Sequence, residues 1–454
     1  MNQLAKSALL NIAGRNGRMA IRTGLYSSSA SVQGMDKMNT LFQSALDNLD
    51  KQGLSKGPER IVAGVKAPFD GHGPTYVLQG SDKRYLAFNS NSYMGQSKDQ
   101  RLLDASHAAA EENGVGPGAV RFINGTNVLH IELEDKIAKF MGYTHGKVLV
   151  SAYTANLTVT SVISSKDTMI ISDALNHNSI IKANDFSRVQ SANKSIYSHN
   201  NTEDLKVQLQ NALDAGMKRA VVITDGVFSM RGDVAPLDKI QKLVDEFHPQ
   251  FEEGVVFVVD DSHGIAAFGR TGRGAIEVVN DKADKVATVK PDIVTLTFGK
   301  GFGVNGGAIV SNSAEFNRSL RELGSPYIYT NPCGPAEIAA CKIAVDIIDS
   351  PEGVAKLAFL QERIAQFRAG IAKIGIPTID PEAGMPSHPV VPLIIGDAAK
   401  THQMVKALAE EGILTVGLTY PVVTKGEDEL RMQINASHTE KDINTLLSAL
   451  EKVW

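Results

Sequence analysis

The sequence contains only two cysteines, Cys333 and Cys341, in 454 residues. They form no CxxC pair and lie near no histidine at metal-ligand spacing, which argues against a disulfide framework and against a zinc site. The apolar runs are all too short to cross a bilayer. An excess of positive charge is also missing, since the formal net charge is −4. We therefore predict no metal, no membrane and no nucleic acid among the partners.

Acidic residues are absent before Asp36, whereas basic residues and serines are frequent there. The basic residues are Lys6, Arg15, Arg18 and Arg22. This composition is typical of a mitochondrial presequence. We predict a presequence over residues 1–34, with cleavage between about Arg22 and Gln33 and a location in the mitochondrial matrix. The alternative is a disordered tail that is basic by chance.

The whole chain is 43% hydrophobic and 21% charged, which is an ordinary soluble composition, and its length predicts two domains. Residues 34–56 have the apolar spacing of an amphipathic helix, within an N-terminal helix and arm over residues 35–84. Residues 85–349 alternate short apolar runs with helical segments, which predicts a large α/β domain with a mostly parallel sheet flanked by helices. Residues 350–454 predict a smaller α+β domain that closes over the site, with short strands over residues 390–394 and 414–416.

One lysine, Lys300, lies in the glycine-rich turn TFGKGFG of residues 297–303, directly after the apolar run 292–296. That run predicts a buried strand, and ligands of parallel sheets bind beyond the carboxyl ends of the strands. A desolvated lysine there has a lowered pKa and serves as a Schiff-base amine. A solvated loop lysine is the alternative.

A second apolar run, residues 255–259, is followed by two acids, a serine and a histidine. Asp260 and His263 would then lie at the same edge of the sheet as Lys300. Pyridoxal 5′-phosphate (PLP) needs a lysine amine, a carboxylate at its ring nitrogen and a polar partner for its phenolic oxygen. The sequence therefore favours a PLP site, although two acids after a strand also suit magnesium or a plain strand end.

Seven segments in order resemble the α-oxoamine synthases, PLP enzymes of fold type I, over nearly all of the chain after residue 34. They are NSYMG at 91–95, RFINGT at 121–126, SDALNH at 172–177, TDGVFSM at 224–230, DDSHG at 260–264, FGKGFG at 298–303 and PYIYT at 326–330. The resemblance implies that Lys300 forms the Schiff base with PLP. It also implies that Asp260 pairs with the ring nitrogen, that His263 contacts the phenolic oxygen and that His177 stacks on the ring.

The same resemblance extends the cofactor site to several further residues. The turn at Ala152 and Tyr153 opens a helix whose amides can hold phosphate, although it can also be a plain helix start. Ser229 and Thr297 offer hydroxyls, and Asp225 is expected to contact cofactor or substrate.

Three residues are implied for the substrate and for the subunit interface. Asn91 and Arg431 match positions that bind the substrate carboxylate, and a guanidinium fork suits a carboxylate. Thr330 matches a residue that reaches the cofactor phosphate of the neighbouring subunit. The resemblance therefore implies a homodimer with shared active sites.

Within the family, segments SHPVVP at 387–392 and YPVVTKG at 420–426 resemble the glycine C-acetyltransferase branch. We therefore expect interconversion of glycine plus acetyl-CoA with 2-amino-3-oxobutyrate plus CoA, as in threonine breakdown. FGKGFG at 298–303 is instead similar to 8-amino-7-oxononanoate synthase, so a decarboxylating enzyme of that type is the alternative. A partner subunit without catalysis is disfavoured because Lys300 is present. A nucleotide-binding loop is disfavoured because its required earlier glycine is missing.

Overall fold

A computed structural model describes residues 33–52, 54–55, 58–420 and 422–454. The chain divides into two units after Glu59. In the first unit, helix α1 covers Gln33–Lys51, which is shorter at its carboxyl end than the helix predicted over residues 34–56. The predicted presequence lies, apart from its last two residues, outside the described residues and stays a prediction. Within the described residues, every helix is too short or too polar to span a bilayer.

The second unit begins at Arg60 and contains all of the strands found in the described residues. In chain order, the strands are β1 Val62–Lys66, β2 Thr75–Leu78, β3 Arg84–Ala87, β4 His145–Leu149, β5 Thr168–Asp173, β6 Lys194–Tyr197, β7 Arg219–Asp225, β8 Val255–Asp260, β9 Ile293–Thr297, β10 Gly307–Ser311, β11 Val390–Ile394, β12 Ile413–Leu414, β13 Val416–Leu418 and β14 Glu429–Gln433.

Helices occupy most of the connections between these strands. They are α2 Gln100–Asn113, α3 Val128–Met141, α4 Ala152–Ile163, α5 Asn178–Phe186, α6 Thr202–Asp214, α7 Leu237–Phe247, α8 Ala275–Asp281, α9 Ala314–Leu323, α10 Ser325–Ile328, α11 Pro335–Ile348, α12 Pro351–Ile374, α13 Ala398–Glu410 and α14 Glu440–Val453.

The central sheet has seven strands in the order β4-β10-β9-β8-β7-β5-β6. It is mostly parallel, as predicted, and β10 is the strand that runs antiparallel to both of its neighbours. Val222 and Phe257 pack into one apolar cluster, while Val221 and Val258, one residue away in their strands, pack into another. Because successive side chains of a strand point to opposite faces, the sheet is buried on both sides.

The register of the central strands brings their polar ends together. Asp225 at the end of β7 pairs with Asp260 at the end of β8, and Asp260 pairs with Thr295 in β9. Lys300 follows β9 after two further residues of turn. The carboxylate, the amine and the histidine predicted for the site therefore leave the sheet at one edge.

Two smaller sheets complete the second unit, a four-stranded sheet β1-β2-β3-β12 and a three-stranded sheet β11-β14-β13. The strand predicted over residues 414–416 is divided in the structure. Ile413 pairs with Leu86 of β3 in parallel, whereas Val416 pairs with Arg431 of β14 in antiparallel. The chain thus changes sheets at Thr415. The division into domains at residues 84 and 349 stays a prediction.

Helix α4 starts directly against the central sheet. Ser151 caps the helix by accepting a hydrogen bond from the backbone N–H of Thr154. A Cβ atom added to Gly307, at the start of β10, would lie 2.2 Å from the backbone nitrogen of Ala152. Glycine at position 307 therefore lets the first turn of α4 lie against the sheet edge that carries the predicted site.

Candidate active site

A cavity of about 200 Å³ lies at the carboxyl ends of β7, β8 and β9. Most of the residues predicted for the cofactor site surround it, together with four that were not predicted. The lining residues are Ser151, Ala152, Tyr153, His177, Ser179, Asp225, Val227, Asp260, Ser262, His263, Thr297 and Lys300.

Lys300 is the amine in this cavity. Burial lowers the pKa of Lys300 to about 8, against the opposing attraction of Asp260 and Asp225. Its turn is held by Thr297, whose hydroxyl accepts from the N–H of Gly299 at 3.0 Å. A Cβ atom on Gly301 would lie 2.7 Å from the carbonyl oxygen of Ile265, so a glycine is needed for the turn to pack at this depth. The lysine is therefore poised to lose its proton near neutral pH.

The two consecutive acids at the end of β8, Asp260 and Asp261, point in different directions. Asp260 faces the cavity, where its Oδ1 accepts from the N–H of Ser262 at 2.9 Å and its Oδ2 accepts from Asn156 at 2.6 Å. Asp261 is fully buried elsewhere and accepts from the N–H of Ala275. Within the described residues, no cluster of His, Cys, Asp and Glu suits a metal ion. The two carboxylates therefore do not face one common site, as the magnesium interpretation of this acid pair requires.

His263 is held by residues from two distant parts of the chain. Its Nδ1 lies 2.9 Å from the hydroxyl of Tyr93, and its carbonyl oxygen accepts from Nε2 of His388 at 2.9 Å. Burial lowers the pKa of His263 well below its ordinary value, and the positive charge of Lys300 lowers it further. The imidazole is therefore neutral. Sequence reasoning missed Tyr93, although it lies in the NSYMG segment.

His177 lies at the mouth of the cavity, with its backbone N–H donating to Oδ2 of Asp225 at 2.9 Å. Burial also lowers the pKa of His177. Burial raises the pKa of Asp225 well above its ordinary value, and the negative charge of Asp260 raises it further. Asp225 thus fixes the backbone that carries the His177 ring.

Four of the predicted residues lie outside the lining of this cavity. Arg431 and Asn91 lie together, with Nη2 of Arg431 donating to Oδ1 of Asn91 at 3.4 Å. Among the described residues, Nε of Arg431 is buried and has no hydrogen-bond partner. Thr330 lines a separate small cavity next to Arg121. Ser229 is half-buried and lines neither cavity.

These groups fit PLP. The amine of Lys300 and the carboxylate of Asp260 share one cavity with the first residues of α4, where the leading N–H groups of a helix favour a phosphate. The hydroxyl of Ser262 is buried and has no partner within the described residues, which leaves a polar contact for a ligand. The site therefore defines a PLP-dependent enzyme whose cofactor binds at the carboxyl edge of a mostly parallel sheet.

Comparisons with known proteins agree with this class. The model of the aminotransferase class I and II family matches residues 83–450. Curated 8-amino-7-oxononanoate synthases from Thermosipho melanesiensis and Fervidobacterium nodosum are each 35% identical, over 91% of this chain and 97% of their own length. A serine palmitoyltransferase of Sphingomonas wittichii superposes with a TM-score of 0.79 at 26% identity, over 92% of this chain and 97% of its own.

A serine palmitoyltransferase from S. paucimobilis, solved with a PLP–myriocin aldimine, superposes with a TM-score of 0.78 at 26% identity, over 93% of this chain and 97% of its own. The chain therefore belongs to the class I and II aminotransferase family and, within it, to the α-oxoamine synthases. Its fold is PLP fold type I and its cofactor is PLP, as predicted. It is an enzyme of the acyltransferase type.

The prediction of a glycine C-acetyltransferase is wrong, because curated relatives that are 32–35% identical to most of this chain are 8-amino-7-oxononanoate synthases. Glycine, acetyl-CoA and threonine breakdown lose their support with it. The segments that suggested this branch do not line the cavity: Tyr420 and Val422 are exposed, and His388 is buried against the backbone of His263.

The lowered pKa of Lys300 gives a testable pH dependence. The neutral amine is the form that attacks the PLP aldehyde, so capture of PLP by the apo-protein should rise with pH and reach half its maximum near pH 8. We would trap the product with borohydride between about pH 6.5 and 11 and quantify it by intact mass. Lys300→Ala, the control, should capture none. A midpoint near the ordinary lysine value of 10.5 would contradict the desolvated site.

Proposed function

We propose that this chain joins an α-amino acid to an acyl thioester with loss of CO2, as a synthase of the 8-amino-7-oxononanoate type. The observation that carries the proposal is the 35% identity to such a synthase over 91% of this chain. In the proposed reaction, the α-carbon of the amino acid bonds to the thioester carbonyl. The thiol leaves, the carboxylate leaves as CO2, and one proton is taken up.

The structure of 8-amino-7-oxononanoate suggests the two substrates. Its amine-bearing carbon also carries a methyl group and adjoins the ketone. Breaking the molecule between these two carbons gives alanine, less its carboxylate, and a straight dicarboxylic acyl group. We therefore propose alanine and pimeloyl thioester as the substrates.

The carboxylate of the amino acid needs a cation, and Arg431 supplies one. It lies in β14 beside Asn91, and its Nε is a buried donor without a partner among the described residues. Its positive charge is close enough to Lys300 to lower the pKa of that lysine further. A guanidinium fork at this position can hold the carboxylate by two parallel hydrogen bonds.

Bound PLP supplies an electron sink for the bond that breaks at the α-carbon. Asp260 holds a proton on the ring nitrogen, since its carboxylate is fixed by Ser262 and Asn156 and turned toward the cavity. Lys300, with a pKa of about 8, takes up and returns the proton of the α-carbon. Its low pKa keeps a useful fraction of the amine neutral at physiological pH.

We would test this reaction with a panel of amino acids and acyl-CoAs, measuring both the release of CoA thiol and the release of CO2. Alanine with pimeloyl-CoA should give the highest rate, with equal amounts of CoA and CO2. Lys300→Ala serves as the inactive control. A higher rate with serine and palmitoyl-CoA would move the chain to the serine palmitoyltransferase type, which the solved neighbours represent. CoA release without CO2 from every pair would contradict the proposed reaction.

We also propose a homodimer in which each chain completes its partner's site. Thr330 does not line the cavity that contains Lys300, and large apolar side chains beside the Thr330 and Arg121 segments are exposed in the single chain. They include Tyr329, Phe122 and Ile123, with exposed fractions of 77%, 55% and 67%. Surfaces of this kind mark protein interfaces.

Mixed dimers test this arrangement. A Lys300→Ala chain and a Thr330→Trp chain, co-expressed with different tags, would form one site with both native residues and one site with neither. Tandem-purified mixed dimers should therefore capture PLP with native affinity at about half of their sites, whereas Thr330→Trp homodimers should bind PLP more weakly. Weak binding at every site of proven mixed dimers would place Thr330 in its own chain's site.

Finally, we propose that residues 1–34 direct the chain to the mitochondrial matrix. The proposal is supported by the basic, acid-free composition of this segment. Fused to a fluorescent reporter, residues 1–34 should deliver it to mitochondria, while a version with its four basic residues changed to glutamine should not. A cytosolic signal from the native fusion would contradict the proposal.

A further inference from the structure

Asn156 is a fully buried polar side chain one turn into α4, and it does not line the cavity. Its amide makes three hydrogen bonds with residues from three other elements. Nδ2 donates to Oδ2 of Asp260 at 2.6 Å and to Oγ of Ser179 at 2.8 Å, while Oδ1 accepts from Oγ1 of Thr295 at 2.8 Å. Both N–H groups of this amide and one lone pair of its oxygen are therefore used.

The partners of Asn156 determine which way its amide points. A carboxylate only accepts hydrogen bonds, so the amide atom 2.6 Å from Asp260 must be the NH2 group. The oxygen then faces Thr295, whose hydroxyl must donate. Both protons of the NH2 group are thereby assigned, one to Asp260 and one to Ser179.

The same reasoning continues from Ser179 to His177. Because Oγ of Ser179 accepts from Asn156, its own proton is free to donate to Nδ1 of His177, which lies 2.8 Å away. The backbone N–H of Ser179 donates to the same Nδ1 at 3.2 Å. A nitrogen that accepts two hydrogen bonds carries no proton, so the neutral ring must hold its proton on Nε2. Burial lowers the pKa of His177, in agreement with a neutral ring.

We propose that Asn156 is a positioning residue that couples the carboxylate of Asp260 to the neutral, Nε2-protonated form of His177. These hydrogen bonds form a relay from Asp260 through Asn156 and Ser179 to His177. At one end, Asn156 orients the carboxylate predicted to pair with the PLP ring nitrogen. At the other end, Ser179 fixes the proton position of the His177 ring, which is predicted to stack on PLP. Both follow from a single amide in the helix that also begins the predicted phosphate site. The proposal rests on the PLP site and not on the amino acid or thioester proposed above.

Isosteric substitutions separate the parts of this relay. Asn156→Leu removes all three hydrogen bonds at similar volume. Asn156→Asp removes the N–H donor to Ser179 and leaves at most one proton, shared with the Asp260 carboxyl group. Ser179→Ala keeps the bond between Asn156 and Asp260 and removes only the step to His177. Thr158→Val is the matched control, because Thr158 is a buried residue of the same helix whose hydroxyl donates to the backbone oxygen of Thr154.

The proton positions can be measured without any substrate. In full-length protein with 15N-labelled histidine rings, long-range 1H–15N spectra distinguish a protonated ring nitrogen from a bare one, and His177→Gln assigns the signal among the 11 histidines. With and without PLP, the native protein should show bare Nδ1 and protonated Nε2. Asn156→Leu, Asn156→Asp and Ser179→Ala should each shift part of the His177 population to the Nδ1-protonated form, while the backbone N–H of Ser179 retains the rest in the native form. Thr158→Val should match the native protein.

PLP affinity provides the second measurement. Asn156→Leu should weaken PLP binding by roughly tenfold or more, as expected when a hydrogen bond to a charged group is lost, and Ser179→Ala should weaken it less. A protonated Nδ1 on His177 in the native protein would overturn the proposal. So would native proton positions and native PLP affinity in the folded variants. If Asn156→Leu fails to fold, Asn156→Asp and Ser179→Ala decide the question.

Discussion

The site depends on one constraint, the burial of the Asp260 carboxylate at the end of a strand in the middle of the sheet. A buried charge costs several kcal/mol unless hydrogen bonds and an opposite charge compensate for it. Here Ser262 and Asn156 each satisfy one carboxylate oxygen, and Lys300 supplies the opposite charge. Removing Ser262, Asn156 or Lys300 would leave the buried carboxylate without part of this compensation. The position of the carboxylate therefore fixes the positions of its neighbours.

The strand register adds a second carboxyl group, because Asp225 is the residue directly beside Asp260. Two buried acids at this distance cannot both be ionised at low cost. Burial and the charge of Asp260 raise the pKa of Asp225, which favours a proton on Asp225. Asp260 remains available for the cofactor, and Asp225 keeps a structural hydrogen bond to the backbone of His177. Asp225 and Asp260 thus have different roles, although their side chains are chemically identical and adjacent in the sheet.

The ends of the strands were predicted well from the sequence, because a buried strand and the charged residues that follow it are neighbours in the chain. Asp260, His263, Lys300 and the mostly parallel sheet were found in this way. Asn156 and Tyr93 were missed because their hydrogen-bond partners are distant in the sequence. Asp260 lies 104 residues from Asn156, and His263 lies 170 residues from Tyr93. The strand predicted over residues 414–416 was wrong for the same reason, since only pairing with distant strands shows that it divides. The branch of the family was wrong because its evidence lay in segments outside the cavity.

The close approach of Gly307 to Ala152 has a further consequence. Helix α4 carries at its first turn the amides predicted to hold the phosphate, and it carries Asn156 four residues later. A helix rises about 1.5 Å per residue, so these two points are a fixed distance of about 6 Å apart along one rigid element. Movement of the helix would displace the predicted phosphate site and the support of Asp260 together. The enzyme should therefore discriminate against any lengthening of the arm between the ring and the phosphate of its cofactor.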